Sequence, residues 1–150
     1  MDYVDIKDIE MHDAQWQKNK LNRRKIAIPL YGSISCGMLK FINNNIEGYV
    51  EIPKHMVGEG DYFVLRTSGD SMIDAGIEDG NLIIVKKQST ADDGNIVAVM
   101  INNEVTLKRF FRLDKTKKYK LHPENSAYED IIVDNCDILG VAVKILRNIK

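Results

Sequence analysis

The sequence is poor in the residues that build disulfide scaffolds and metal sites. Its 150 residues include two cysteines, Cys36 and Cys136, which lie far apart and form no C-x-x-C pair. This excludes a disulfide scaffold and a cysteine-based zinc site, and reduced thiols are expected. The three histidines show no ligand spacing. We therefore expect neither a metal ion nor another cofactor.

Long hydrophobic runs and an excess of charge are also missing. No apolar stretch approaches the roughly 20 residues that span a bilayer. The acidic start, Met1-Asp2-Tyr3-Val4-Asp5, lacks the apolar core of a signal peptide. The net charge of −1 provides no basic field for non-specific binding of nucleic acid. These features predict a cytoplasmic protein without a membrane partner.

What the chain does contain is a β-rich pattern that follows a polar N-terminal stretch. Residues 1–27 change from acidic to basic with sparse hydrophobic residues, which predicts an arm or linker. From residue 28 to the C-terminus, short apolar runs alternate with turn signals such as Asp-Gly and Asn-Asn, which predicts a mainly β, antiparallel domain. The predicted strands lie at 49–52, 62–67, 81–85, 95–101, 105–113, 119–121, 131–133 and 138–146.

A candidate nucleophile lies at the turn after the second of these strands. In Gly69-Asp70-Ser71-Met72, the turn can expose a serine hydroxyl and direct backbone N–H groups at a developing oxyanion. Serine needs an adjacent base to react at neutral pH. Alternatively, Asp70 or Ser71 only caps a short helix over residues 71–75.

A candidate base lies on the strand that contains Val105-Thr106-Leu107-Lys108-Arg109. The two-residue period of a strand places Thr106, Lys108 and Phe110 on one face. Burial would lower the pKa of Lys108 enough to make a neutral amine available, which an arginine could not supply. The alternative is an edge-strand lysine whose amine reaches solvent.

A candidate substrate lies upstream in the same chain. The bond between Cys36 and Gly37 joins two small residues, and such a backbone can approach a nucleophile closely. The alternative is an ordinary strand and loop in which Cys36 fills an apolar gap.

Together these elements resemble the LexA-type self-cleaving regulators, the S24 family of serine–lysine peptidases that includes LexA repressors, phage repressors and UmuD proteins. The resemblance covers about residues 28–147 and keeps the family order. Its motifs are Ile28-Pro29-Leu30-Tyr31-Gly32, Cys36-Gly37, Gly69-Asp70-Ser71-Met72, Val105-Thr106-Leu107-Lys108-Arg109 and Leu121-His122-Pro123-Glu124-Asn125-Ser126.

The resemblance implies a LexA/signal-peptidase-like β fold over residues 28–150, with a cleavage loop at about 28–40. It also implies that Ser71 attacks the carbonyl of Cys36 while Lys108 acts as base. The N–H groups of Asp70 and Ser71 would bind the oxyanion. The implied partners are a second copy of the chain and a RecA filament on single-stranded DNA that acts as co-protease. The implied role is regulation of the SOS response to DNA damage.

Two departures leave the biological role open between two interpretations. LexA repressors usually have Ala-Gly at the cleaved bond, whereas Cys36-Gly37 is similar to UmuD. The 27 residues before Ile28 are too few for the helix-turn-helix domain through which a LexA repressor binds operator DNA. The chain is thus expected to be either part of a LexA-type repressor or a complete UmuD-like protein that acts with an error-prone polymerase.

Two other classes of protein fit parts of this pattern. Signal peptidases share the serine–lysine chemistry but need a membrane anchor, and a non-catalytic binding module would not need both Ser71 and Lys108. Dimerisation in this family often uses a late strand. Residues 137–146 could provide such an edge or could instead form an internal core strand.

Overall fold

A single nine-stranded sheet contains almost all regular structure in the computed structural model, which describes residues 24–32 and 46–149. Within those ranges, helix is limited to two single turns of 3-10 helix, Lys54–Met56 and Ile73–Ala75. The strands are β1 (Lys25–Tyr31), β2 (Ile46–Pro53), β3 (Tyr62–Arg66), β4 (Leu82–Lys87), β5 (Ile96–Ile101), β6 (Glu104–Leu113), β7 (Lys118–His122), β8 (Ile131–Val133) and β9 (Asp137–Leu146).

The prediction of a mainly β domain is confirmed, with one difference in strand direction. The spatial order is β2-β1-β3-β4-β9-β5-β6-β7-β8. All neighbouring pairs are antiparallel except β1 and β3, which are parallel through Leu30↔Val64 and Tyr31↔Leu65. The sheet is therefore mixed. Local turn signals could not reveal the parallel pair, because β1 and β3 are separated by β2 and do not share a hairpin.

The N-terminal boundary is only partly visible in the structure. Strand β1 begins at Lys25, slightly before the start at Ile28 that the sequence suggested. It also includes the first residues of the predicted cleavage loop. Most of the predicted arm lies outside the described residues, so the division into arm and domain stays a prediction.

The core consists of three apolar clusters along the sheet. One cluster contains Tyr31, Phe63, Ile83, Met72 and Leu107, each no more than 7% exposed. Burying a large apolar side chain stabilises the fold by about 1.5–3 kcal/mol. Met72 and Leu107 directly adjoin Ser71 and Lys108 in the sequence. Core packing therefore anchors the backbone next to each member of the candidate dyad.

Within the described part of the chain, strand β9 has neighbouring strands on both sides along its first half and on one side along its second half. Its first half pairs with β5 from Asp137 to Val141, and residues 140–146 pair with β4. Beyond Val141, no strand of the described ranges lies on the β5 side of β9. The internal-strand interpretation thus holds for the first half of β9, and use of the second half in dimerisation stays a prediction.

Close packing of β9 against β4 leads to a first prediction, at Gly140. A Cβ atom at this position would lie 2.3 Å from the Lys86 carbonyl oxygen and 2.6 Å from Val85 Cγ1. The Lys86 oxygen belongs to the backbone and cannot rotate away as a side chain could. Gly140→Ala should therefore force β9 and β4 apart and destabilise the fold by about 1–3 kcal/mol. Urea denaturation measures this loss. Gly48→Ala is the matched control, since a Cβ atom on that strand glycine has no described atom within 4 Å. Equal midpoints for both variants would contradict the prediction.

Candidate active site

Ser71 lies on a tight turn between β3 and a single turn of 3-10 helix. Gly69 adopts a left-handed conformation with φ of 83°, which glycine tolerates best, and its N–H donates to Asp79 Oδ1 at 2.8 Å. The following 3-10 helix, Ile73–Ala75, has no side-chain cap. The capping interpretation of Asp70 and Ser71 is therefore wrong, and the Ser71 hydroxyl remains available for another contact.

Lys108 reaches the site through the hairpin that joins β5 and β6. Asn102 and Asn103 have φ of 48° and 67°, the conformation of a type I′ turn. This turn fixes the register in which Lys108 lies opposite Val97. Although lysine is usually exposed, Lys108 is 8% exposed. The edge-strand interpretation of this lysine is wrong.

The side chains of Ser71 and Lys108 meet across 37 residues of sequence. Lys108 Nζ lies 3.2 Å from Ser71 Oγ, 2.9 Å from Thr106 Oγ1 and 3.1 Å from the Leu107 carbonyl oxygen. A neutral amine has two N–H groups and one lone pair. The N–H groups can donate to Thr106 and Leu107, which leaves the lone pair for the Ser71 O–H group. This arrangement suits a base that accepts the serine proton.

The surroundings of the amine favour its neutral form. Burial lowers the pKa of Lys108, because desolvation disfavours the ammonium more than the amine. None of the ion pairs found among residues 24–32 and 46–149 includes Lys108. No carboxylate within that part of the chain therefore offsets the effect of burial.

A cavity of about 280 Å³ opens beside Ser71. Its wall includes apolar side chains from β3, from β6 and from the segment between β3 and β4, together with Thr106 and Gly32. Gly32 matters because it is the last described residue before the segment that contains Cys36. Cys36 and Gly37 themselves lie outside the described residues.

The predicted oxyanion donors lie at the same turn. The Asp70 carbonyl accepts a hydrogen bond from Ile73 N–H at 3.1 Å, which closes the turn around Ser71. The N–H groups of Asp70 and Ser71 have no acceptor among residues 24–32 and 46–149. Both are thus available for a ligand oxygen.

A second loop contacts the Ser71 turn, a role that sequence reasoning did not assign to it. The Glu124 carbonyl accepts from Asp74 N–H at 2.7 Å. Asn125 Nδ2 donates to the Asp70 carbonyl at 2.8 Å, and Tyr128 Oη donates to Asp70 Oδ1 at 2.5 Å. The only sequence signal was the likeness of Leu121-His122-Pro123-Glu124-Asn125-Ser126 to a family motif.

Neither a metal-binding cluster nor a membrane-spanning helix occurs among residues 24–32 and 46–149. No three His, Cys, Asp or Glu side chains of these ranges are grouped so that they could hold a metal ion. No helix there has the length and apolar character needed to cross a membrane.

Comparison with known proteins identifies the family. The model of the family described as peptidase S24-like matches residues 29–143, which include Ser71 and Lys108. The chain belongs to the S24-like peptidase family. The S24-like match extends from β1 into β9, and thus takes in the strands and turns that bring the candidate dyad together.

Several of its relatives are LexA repressors. The chain is 43% identical over 127 residues to the LexA repressor of Caldicellulosiruptor saccharolyticus, an alignment that covers 85% of this chain and 62% of that protein. It is 41% identical over 141 residues to the LexA repressor of Geobacillus kaustophilus, covering 93% and 67%. It is 45% identical over 123 residues to that of a Clostridium perfringens strain, covering 81% and 60%. The chain thus spans about three fifths of the length of such relatives.

Proposed function

We propose that this S24-like domain is a serine endopeptidase that cleaves its own chain between Cys36 and Gly37 with Ser71 and Lys108 as catalytic dyad. The observation that carries the proposal is the distance of 3.2 Å between Ser71 Oγ and the buried Lys108 Nζ. A lysine without an acidic partner in the described structure, its pKa lowered by burial, is suited to general-base catalysis.

In the first half of the reaction, the Ser71 oxygen bonds to the Cys36 carbonyl carbon while its proton passes to Lys108 Nζ. The carbonyl oxygen becomes an oxyanion, which the N–H groups of Asp70 and Ser71 stabilise. The C–N bond to Gly37 then breaks. Lys108 returns the proton to the departing Gly37 amine and is neutral again.

In the second half, water hydrolyses the ester between Cys36 and Ser71. Lys108 takes a proton from the water, whose oxygen bonds to the ester carbon, and the proton is then delivered to the Ser71 oxygen. The products are a fragment that ends in a Cys36 carboxylate and one that begins with a Gly37 amine. Because substrate and catalyst share one chain, their effective concentration is high once the loop docks.

The biological role we propose is that of a LexA-type repressor in the SOS response to DNA damage. LexA repressors at 41–45% identity support this role over the UmuD-like alternative. Cleavage would separate the N-terminal part from the β domain. Operator binding would belong to a helix-turn-helix domain, and a RecA filament on single-stranded DNA would promote loop docking. These partners imply a cytoplasmic location.

Homodimerisation is also proposed for this domain. Its support is the position of β9, which beyond Val141 has no neighbouring strand on the β5 side among residues 24–32 and 46–149. Val143 on this segment is 38% exposed, so it offers an apolar side chain to a second copy.

The test is self-cleavage of the full chain between pH 7 and 10, followed by intact mass. We expect two fragments whose masses place the cut between Cys36 and Gly37. The rate should rise about tenfold per pH unit below the pKa of Lys108, since the neutral fraction rises by that factor.

The matched control is a second reaction with RecA, single-stranded DNA and nucleotide near pH 7. The same two fragment masses should form in this reaction, because the RecA filament promotes docking of the cleavage loop and does not change which bond is cleaved. An intact chain under both conditions, with the β fold preserved, would contradict the proposed peptidase.

A further inference from the structure

One peptide plane links the candidate oxyanion site to a loop more than 50 residues downstream. The peptide between Asp70 and Ser71 is trans, as are all peptides of the described ranges. In a trans peptide the carbonyl oxygen of one residue and the N–H of the next lie in one plane and point in opposite directions. Any group that fixes the Asp70 carbonyl therefore also fixes the direction of the Ser71 N–H.

Two donors fix that carbonyl, and one of them is a side chain. Ile73 N–H reaches the Asp70 oxygen at 3.1 Å within the turn. Asn125 Nδ2 reaches the same oxygen at 2.8 Å from the loop that follows β7. With the backbone donor alone, the Asp70–Ser71 peptide plane can still rotate. A second donor on the same oxygen restricts that rotation.

The Asn125 side chain is itself held in one orientation. Its Oδ1 accepts a hydrogen bond from Ala127 N–H at 2.9 Å, while its Nδ2 faces the Asp70 carbonyl. With the amide reversed, a carbonyl would face a carbonyl and an NH₂ group would face an N–H, so only one assignment satisfies both neighbours. Tyr128 Oη adds a contact to Asp70 Oδ1 at 2.5 Å.

The loop that supplies Asn125 is also tied to the strand of the candidate base. The Glu124 carboxylate pairs with Arg109, the residue after Lys108 on β6. The Glu124 carbonyl accepts from Asp74 N–H at 2.7 Å, on the far side of the Ser71 turn. The loop thus contacts both β6, which carries Lys108, and the segment that follows Ser71. These contacts fix the position of Asn125 relative to the Ser71 turn.

We infer that Asn125 is a positioning residue for the oxyanion site, which it serves by holding the Asp70–Ser71 peptide so that the Ser71 N–H faces the cavity. The inference rests on the proposed function, because the Ser71 N–H matters only if an oxyanion forms there. Asn125 contacts neither Ser71 Oγ nor Lys108 Nζ. Its loss should impair oxyanion stabilisation and leave proton transfer to Lys108 unchanged.

The test compares the full chain with its Asn125→Asp and Asn125→Ala variants in self-cleavage from pH 7 to 10. Asn125→Ala removes the donor without adding charge, whereas Asn125→Asp keeps the size of the side chain but replaces the donor with a negatively charged acceptor. Loss of one oxyanion donor typically costs about a hundred- to a thousandfold in rate. Since the Ser71 N–H is displaced rather than removed, we expect a loss of about ten- to a hundredfold. In Asn125→Ala the loss should be the same at every pH, with an unchanged midpoint, whereas the carboxylate added in Asn125→Asp also favours the ammonium form of Lys108.

Ser126→Ala is the matched control, since it changes the neighbouring exposed side chain of the same loop. This variant should cleave like the unaltered chain, and thermal denaturation should show all variants folded. Cleavage by Asn125→Asp within about twofold of the unaltered chain would overturn the inference. A changed pH midpoint in Asn125→Ala would also overturn it, because Asn125 would then act on Lys108.

A second measurement does not depend on cleavage. The ¹H–¹⁵N resonance of Ser71, recorded near pH 7, should shift strongly in Asn125→Asp and remain in place in Ser126→Ala. If the unaltered chain never cleaves but the resonance shifts, the proposed function fails while the positional link is supported. An unmoved Ser71 resonance in Asn125→Asp overturns the link whether or not the chain cleaves.

Discussion

Ser71→Ala should abolish self-cleavage at every pH between 7 and 10, a loss of at least about a thousandfold. The Ser71 hydroxyl oxygen is the atom that attacks in the proposed reaction, and it lies 3.2 Å from Lys108 Nζ. The other hydroxyl near that amine, Thr106 Oγ1 at 2.9 Å, accepts one of its N–H groups in the proposed arrangement. Intact mass after prolonged incubation measures the effect.

The fold should tolerate this change. Ser71→Ala removes one hydroxyl beside a cavity and leaves the backbone of the turn, Met72 and the Asn125 contact in place. Ser68→Ala is a suitable control, because it removes the other serine of the same turn and should retain cleavage. If Ser71→Ala still cleaved and Ser68→Ala did not, the nucleophile would be Ser68, and the role proposed for Ser71 would be wrong.

Lys108→Met should likewise abolish cleavage, and it should also change how stability depends on pH. Burial lowers the pKa of Lys108 in the folded state relative to about 10.5 in the unfolded chain. Between the two pKa values, the unfolded chain binds one more proton than the folded chain. The free energy of unfolding contributed by this group therefore rises with pH through that window. Below the folded pKa, the cost of the buried ammonium is constant and largest.

Methionine has no proton to bind, so this contribution disappears in the variant. The stability of Lys108→Met minus that of the unaltered chain should be most favourable near pH 7 and should decrease as the pH approaches about 10.5. Urea denaturation of both proteins at several pH values gives this difference, in which the titrations of other groups cancel. The Thr106 and Leu107 acceptors lose their partner in the variant. This loss shifts the stability difference by the same amount at every pH and does not change its dependence on pH.

Lys108→Arg separates positive charge from basicity. A guanidinium keeps the charge but does not lose its proton in proteins, so this variant should also fail to cleave. Cleavage by Lys108→Arg, or a stability difference that does not vary with pH, would remove Lys108 from the role of base.

Much of the fold was predictable because the relevant signals are local. Each strand predicted from residue 49 onward is present, since alternating or β-branched runs bounded by turn residues specify extended chain. The Asn102-Asn103 turn fixed the β5–β6 hairpin. The parallel β1–β3 pair was not predictable, because it depends on how distant strands are arranged.

The candidate site also combines features that local sequence predicts with features that it does not. The period of β6 placed Thr106 and Lys108 on one face, and their contact at 2.9 Å agrees with it. Yet a strand pattern could not decide whether Lys108 lay in solvent or against Ser71. The contact of Asn125 with Asp70 was equally hidden, because asparagine side chains in loops have many possible partners and no periodicity.

By itself, the sequence determined the strands, the tight turn at Ser71 and the presence of both members of a possible serine–lysine dyad. These depend on side-chain period and backbone conformation, which act over a few residues. Only the tertiary structure decided that Lys108 is buried and 3.2 Å from Ser71, that β9 lies between β4 and β5, and that Asn125 donates to the Asp70 carbonyl. Those features depend on the order in which nine strands pack, and that order is set by burial of apolar surface between residues far apart in the chain.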